Sequence, residues 1–293
     1  MPKKVSKPSQ RNAPRDFGIN KETGISELSN EILRNLKRDW QQSGLSKGDV
    51  VLIHSNMGRT VRRCSVDRSS RPAIELFVDS FLDAVGSAGT VLFPLFNFGF
   101  SKGEPFDLRN TPSRMGKLTE AARLHPDCVR TEHPIYSFGV IGAQSDRFQG
   151  VNNISGYGDD SPFAILRELD GKIASVDLDD QHSMTFYHHV EEMNKVPYRF
   201  MKKYDGAYTN WEGQTENRQY SLYVRDEDRG VRTHVNPAGE LLWESGLYSG
   251  YRPKEGTGLR VINANKMFEF VSDLIQKGKA EGLLYKVEPP TDE

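Results

Sequence analysis

The segment Thr185-Phe186-Tyr187-His188-His189-Val190-Glu191-Glu192 holds the densest group of side chains able to move a proton. On a helix, residues three or four apart share a face, so Glu191 and Glu192 both come near His188. A carboxylate bonded to one imidazole nitrogen sets the tautomer and favours the imidazolium that forms after proton uptake. A general base with an orienting partner needs this arrangement. A salt-bridged surface His/Glu pair has the same spacing, and the local pattern does not separate the two. A zinc site drawn from His182, His188, His189 and Glu191 lacks the His-Glu-x-x-His spacing of metalloprotease helices, so no metal is expected.

These residues need a frame to hold them. Leu28, Ile32, Leu36 and Trp40 repeat at helical spacing, with Ser26 as N-cap and Gly44 after the end. Val50-Val51-Leu52-Ile53 reads as a buried strand that runs into His54-Ser55-Asn56-Met57-Gly58. Small and polar residues directly after a buried strand are where α/β proteins place ligand loops. A helix over 73–85, a strand over 90–94, a long ordered loop over 97–112 and a helix over 116–124 follow. Next come a helix over 162–169 capped by Ser161 and a strand over 172–176. The alternation predicts an α/β fold: a mixed central sheet with helices on both faces, in αβα layers. Tyr204, Tyr208, Trp211, Tyr220 and Tyr223 alternate with polar residues, which predicts a smaller β-rich section at about 198–260. Met267, Phe268, Val271, Leu274 and Ile275 mark a late helix capped by Asn263 or Asn265. Residues 1–24 read as a flexible basic tail and 25–288 as one domain.

The 293 residues include 36% hydrophobic ones, enough for a substantial core, and the net charge of −1 gives no footprint for nucleic acid. No apolar run is long enough to span a bilayer, and no apolar stretch follows the basic start, so neither a membrane span nor a secretory signal is expected. Two cysteines, Cys64 and Cys128, build no disulfide framework, and a reducing cytoplasm is the expected location.

Six motifs occur in a meaningful order. They are Val51-Leu52-Ile53-His54-Ser55; Gly89-Thr90-Val91-Leu92-Phe93-Pro94; the stretch from Phe106 to Gly116 containing Thr111-Pro112-Ser113; Arg123 with Arg130 to Ser137; Asp160-Ser161-Pro162-Phe163; and Thr185 to Glu191. Together they resemble the aminoglycoside 3-N-acetyltransferase family, over roughly 26–284. The resemblance implies acetyl-CoA, or another acyl-CoA, as donor and a small-molecule amine, a sugar above all, as acceptor. It assigns the active-site histidine to His188 and its acidic partner to Glu191. It implies that His54, Ser55, Asn56 and Met57 meet coenzyme A, with Thr111 and Ser113 lining the same cleft. It marks His133 and Ser137 as residues near the active site, and with Glu192, placed near His188 by its spacing, they are the expected substrate-side residues. The family commonly reads His-Ser-Ser where this chain has His-Ser-Asn, which exchanges a hydroxyl for an amide at Asn56. Three acidic residues, Asp177, Asp179 and Asp180, replace an apolar, glycine-rich approach to the histidine; they would attract a cation or form a solvated loop.

The expected reaction is direct transfer with His188 as proton acceptor, without an acyl carrier. Cys64 lies among Arg62, Arg63 and Arg68, which favour a thiolate, but no base is matched to it. Transfer to a non-sugar amine, a silent coenzyme A or sugar-binding relative, and a metal-dependent hydrolase are the competing readings. A homodimer is compatible with all of them.

Overall fold

The computed structural model describes residues 22–65 and 71–288. The basic tail to residue 21, Arg68 and the last five residues lie outside the described residues.

The first helix, α1 (Glu22–Gln42), starts four residues before the expected cap Ser26, inside the segment read as tail. It leads through Gly44, at φ +120°, into β1 (Val50–Ser55). The chain continues through α2 (Gly58–Arg63), α3 (Arg71–Val85), β2 (Thr90–Pro94), β3 (Phe106–Asp107) and α4 (Lys117–Arg123). Then come β4 (Val129–Arg130), β5 (Phe138–Gly142), α5 (Pro162–Glu168), β6 (Lys172–Val176) and α6 (Phe186–Met193). A long hairpin, β7 (Arg199–Thr209) and β8 (Thr215–Arg225), precedes β9 (Val231–Thr233) and α7 (Asn236–Glu244). The last elements are β10 (Ser249–Gly250), β11 (Leu259–Asn263), α8 (Ala264–Gln276) and β12 (Tyr285–Val287).

Seven strands form the main sheet in the order β10-β11-β6-β1-β2-β5-β4. β1 pairs in parallel with β2 and β6, and the flanking pairs are antiparallel. The central strands are buried on both faces, which is why they read as unbroken apolar runs. Successive side chains still alternate between two cores. Val51 and Ile53 pack with Trp40, Phe77 and Phe81 beneath α1 and α3. Leu52 joins Phe163, Phe186, Val190 and Val271 beneath α5, α6 and α8. The result is the expected mixed sheet between two helical layers.

Trp40 and Phe81 stack at 4.9 Å, and the Trp40 indole N–H donates to Ser80 Oγ at 2.9 Å, so this large side chain is buried without an orphaned donor. Asn263 caps α8, its side-chain oxygen accepting from the Lys266 amide. Ser161 does not cap α5 with its side chain; its hydroxyl donates to the Gly158 carbonyl and tightens the preceding turn.

The expected β-rich section is the three-stranded sheet β3-β7-β8, with α7 interrupting it further on. Tyr208 and Tyr220 are buried there, whereas Trp211 at the hairpin tip is exposed.

Candidate active site

The parallel strands β1 and β6 end side by side, with His54 level with Ser175 and Ser55 level with Val176. The chain leaves β6 at Asp177, whose φ of 50° turns it sharply and whose carboxylate takes a two-point grip from Arg59 at 2.9 and 3.0 Å. Asp180 pins the following loop. It is buried and accepts from Tyr187 at 2.8 Å and Tyr248 at 2.9 Å, with Arg260 at 2.9 Å. Burial pushes the Asp180 carboxyl up against the opposing pull of Arg260. Of the three acidic residues in this approach, Asp180 and Asp177 therefore serve as internal anchors.

The anchored loop delivers Thr185 to the start of α6. Its hydroxyl faces His54 Nε2 at 3.5 Å, and its carbonyl accepts from the His188 amide at 3.0 Å. His54 itself is buried. Burial, reinforced by Arg260, lowers its pKa to about 3 and keeps it neutral.

One turn further on, His188 Nδ1 lies 3.3 Å from Glu191 Oε2. Arg199, the first residue of β7, places Nη2 2.8 Å from the same oxygen and 3.1 Å from Nδ1. Its Nη1 donates to the Tyr223 carbonyl across the hairpin at 3.0 Å. Arg199 can only donate towards Nδ1 and Glu191 can only accept from it; we assign the proton to Nδ1, facing the carboxylate, and the lone pair to Nε2. Nε2 has no hydrogen-bond partner among the described residues. The Tyr157 ring sits 5.1 Å from the imidazole.

Charge and burial set the state of this group. Burial lowers the His188 pKa, and Arg199 adds to the effect, while Glu191 opposes both. The imidazole is therefore neutral at neutral pH and able to accept a proton. Burial alone would raise the Glu191 carboxyl, but Arg199 and His188 outweigh it and hold the carboxylate ionised. Arg199 absorbs much of the negative charge that would otherwise protonate His188 in advance.

His188 opens into a cavity of about 320 Å³ whose walls include Tyr136, Tyr157, Arg199, Tyr204 and Tyr223. Glu192 makes no hydrogen bond to His188; it accepts from the Ser155 hydroxyl at 2.7 Å.

A second cavity, about 670 Å³, starts at the end of β1. Ser55, Asn56, Met57, Lys117 and His182 lie along it, and Val61, Ile74, Phe77, Leu118 and Leu178 give it apolar walls. The Asn56 amide donates to the Val176 carbonyl at 2.8 Å, and its side-chain oxygen accepts from Gly58 N–H at 3.1 Å. Asn56 thus turns the chain into α2 as well as lining the cavity. The contact between His54 and Thr185 lies one residue from this cavity and one helical turn from His188.

Other expected residues have internal partners. Thr111 Oγ1 accepts from the Asp107 amide at 2.8 Å, and Ser113 shares a hydrogen bond with Thr119 at 2.8 Å. Both shape the loop whose continuation, Met115 to Leu118, reaches the second cavity. His133 and Ser137 are fully buried. His133 Nδ1 accepts from the amides of Ile135 and Tyr136, and burial lowers its pKa to about 3. Ser137 Oγ accepts from Arg130 at 3.3 Å. Burial raises the Cys64 thiol above its ordinary pKa despite Arg63, so its position does not favour a thiolate. Sequence spacing gives no reason to place Arg199 or Tyr157 at this site. Both meet His188 only through tertiary packing.

A family model described as aminoglycoside 3-N-acetyltransferase matches residues 52–276. Aminoglycoside N(3)-acetyltransferase VII of Streptomyces paromomycinus is 25% identical over 185 residues, 55% of this chain and 60% of its own length. The alignment thus spans less than two thirds of that relative. The crystal structure of aminoglycoside acetyltransferase AAC(3)-Xa superposes with a TM-score of 0.68 at 21% identity, covering 88% of this chain and 98% of that one. A structure of AAC-IIIb in a binary complex with CoASH superposes at 0.67, also at 21% identity, with the same coverage of both chains.

Proposed function

The chain belongs to the aminoglycoside 3-N-acetyltransferase family, and on that premise we propose that it transfers an acetyl group from acetyl-CoA to an amine of an amino sugar or aminoglycoside-like acceptor. The observation that carries this reading is the neutral His188, held by Glu191 and Arg199, with Nε2 left without a protein partner at a cavity wall.

The second cavity fits the donor. Its apolar walls suit a pantetheine-like arm, its polar edge at Ser55 and Asn56 suits amide groups, and Lys117 on the edge supplies a cation for phosphate. Acetyl-CoA, when bound, supplies an activated thioester carbonyl. The chain's own contribution is proton handling and orientation. An alkylammonium has no lone pair, so the acceptor reacts as the free amine; as its nitrogen bonds to the acyl carbon and the C–S bond breaks, the departing thiolate takes up a proton and the nitrogen gives one up. His188 Nε2 accepts that proton, and the imidazolium that forms is stabilised through Nδ1 by Glu191. Such a base contributes about 10²–10⁴-fold to rate. Tyr157 and Arg199 limit the ring's movement.

The test is thiol release from acetyl-CoA with a panel of amines, followed by identification of the acylated product. Amine-dependent release with an N-acetylated product supports the reading. Release of thiol without any acylated amine would leave hydrolysis as the activity.

A further inference from the structure

The wall around His188 is rich in donors that lack acceptors. Arg199 Nε and Arg225 Nε are buried and make no hydrogen bond among the described residues. Lys202 has no carboxylate in ion-pair reach among them; its ammonium lies 5.7 Å from the Tyr204 ring centre. All three residues line the cavity. Its acids answer this only in part. Glu227 is engaged by Arg225 at 2.5 Å with its side chain 58% exposed, and Asp228 is exposed. Glu191 lies behind His188, already shared between the imidazole and Arg199. Burial lowers the His188 pKa most; of the charges acting on it, Arg199 and Arg225 lower it further and Glu191 opposes them.

A polycationic acceptor would need several carboxylates on this wall, and it would meet guanidinium groups instead. An oxyanion supplies an acceptor for Lys202 and a further one for Arg199 and Arg225, whose Nε groups lack a partner, in the charge-assisted geometry that guanidinium groups favour. Tyr136, Tyr157, Tyr204 and Tyr223 supply flat faces for a sugar ring alongside it. We propose that the acceptor carries a phosphate or carboxylate on the same sugar unit as the amine that is acylated. This rests on the acyl-transfer reading and narrows its substrate class.

The experiment compares four acceptors with the full chain and acetyl-CoA: glucosamine, glucosamine 6-phosphate, 2-amino-2-deoxyglucuronic acid and kanamycin. Thiol release gives kcat/KM, and calorimetry without acetyl-CoA gives binding in parallel. The expected result is a preference of about tenfold or more for an oxyanion-bearing amine over glucosamine, the weight of one hydrogen bond to a charged group. The two oxyanion arms tell phosphate from carboxylate. Lys202→Met, at an exposed position, should shrink that preference several-fold and flatten its dependence on salt. Equal kcat/KM for glucosamine and both oxyanion acceptors, or preference for kanamycin, would overturn the inference while acyl transfer stands. Lys202-dependent oxyanion binding without turnover of any of the four would leave an oxyanion site but overturn the inference that its ligand is the acyl acceptor. Neither binding nor turnover of the oxyanion acceptors would overturn the inference.

Discussion

Arg199 and His188 approach the same oxygen of Glu191, at 2.8 and 3.3 Å, so one buried carboxylate serves a permanent cation and a titratable ring together. The sharing has a chemical consequence. A lone Glu191 would tend to hold His188 as an imidazolium, which cannot accept a proton.

Replacing Arg199 tests this directly. In Arg199→Gln the carboxylate loses its permanent cation, and the His188 pKa should rise. Activity requires the neutral ring, so it falls as pH drops through that pKa. The acidic limb of the kcat/KM profile should therefore move to higher pH than in the wild type. Removing one partner of a buried pair also costs about 3–5 kcal/mol of stability, read by urea denaturation. Arg199→Lys should restore part of both. An unchanged acidic limb would remove Arg199 from the account.

Acid should destabilise the fold as soon as the histidines of the unfolded chain begin to protonate. His54 and His133 have pKa values near 3 and His189 near 4, all lowered first by burial. Above about pH 6.5 these rings are neutral in both folded and unfolded chains and contribute nothing. Below it the unfolded chain binds protons that the folded chain refuses, so stability falls as pH falls. The slope is about 1.4 kcal/mol per pH unit for each ring, continuing until the folded-state pKa is reached. Urea midpoints at pH 7, 6 and 5 should drop steeply, and His133→Asn should lessen the drop. A midpoint independent of pH over this range would contradict the buried neutral assignments.

Asp180 should matter to the fold although it is remote from the reacting atoms. Asp180→Ala leaves Arg260 buried without its carboxylate and Tyr187 and Tyr248 without an acceptor. A loss of about 3–5 kcal/mol is expected, because an uncompensated guanidinium remains in a low-dielectric site. Denaturation measures it, and a loss below about 1 kcal/mol would show that the network is not tightly held.

The second cavity makes its own prediction. Met115 lies along it and is 37% exposed, so a substitution there should be tolerated by the fold. Met115→Glu would set a negative charge near donor phosphates. The expected outcome is a KM for acetyl-CoA raised about tenfold, worth about 1.4 kcal/mol, with the acceptor's KM little changed. An effect confined to the acceptor would assign this cavity to the other substrate.

Much of the frame was legible because local pattern and burial agree. The strands over 90–94 and 172–176 read correctly from their apolar runs, since both faces of the central sheet are covered. The pairing of His188 with Glu191 follows from helical geometry alone. Glu192, four residues on, is also within reach by that geometry, but its carboxylate is engaged by the Ser155 hydroxyl, which only tertiary packing brings there. Arg199 was hidden for a different reason. It lies eight positions beyond Glu191 on another element, and its partner is chosen by how the hairpin docks on α6. His133 and Ser137 sit in a motif that the family resemblance marks, yet their polar atoms hold a turn and a buried arginine together. A sequence motif does not distinguish a residue that builds a wall from one that touches a ligand.

The central claim is that His188 takes the acceptor's proton. The most direct measurement is the single-turnover rate of acetyl transfer by His188→Ala, once an acceptor is in hand, with acetyl-CoA binding followed by calorimetry on the same preparation. The account predicts a rate reduced by about 10²–10⁴-fold with donor affinity retained. A transfer rate within a few-fold of the wild type, in a variant that still binds acetyl-CoA, would contradict it.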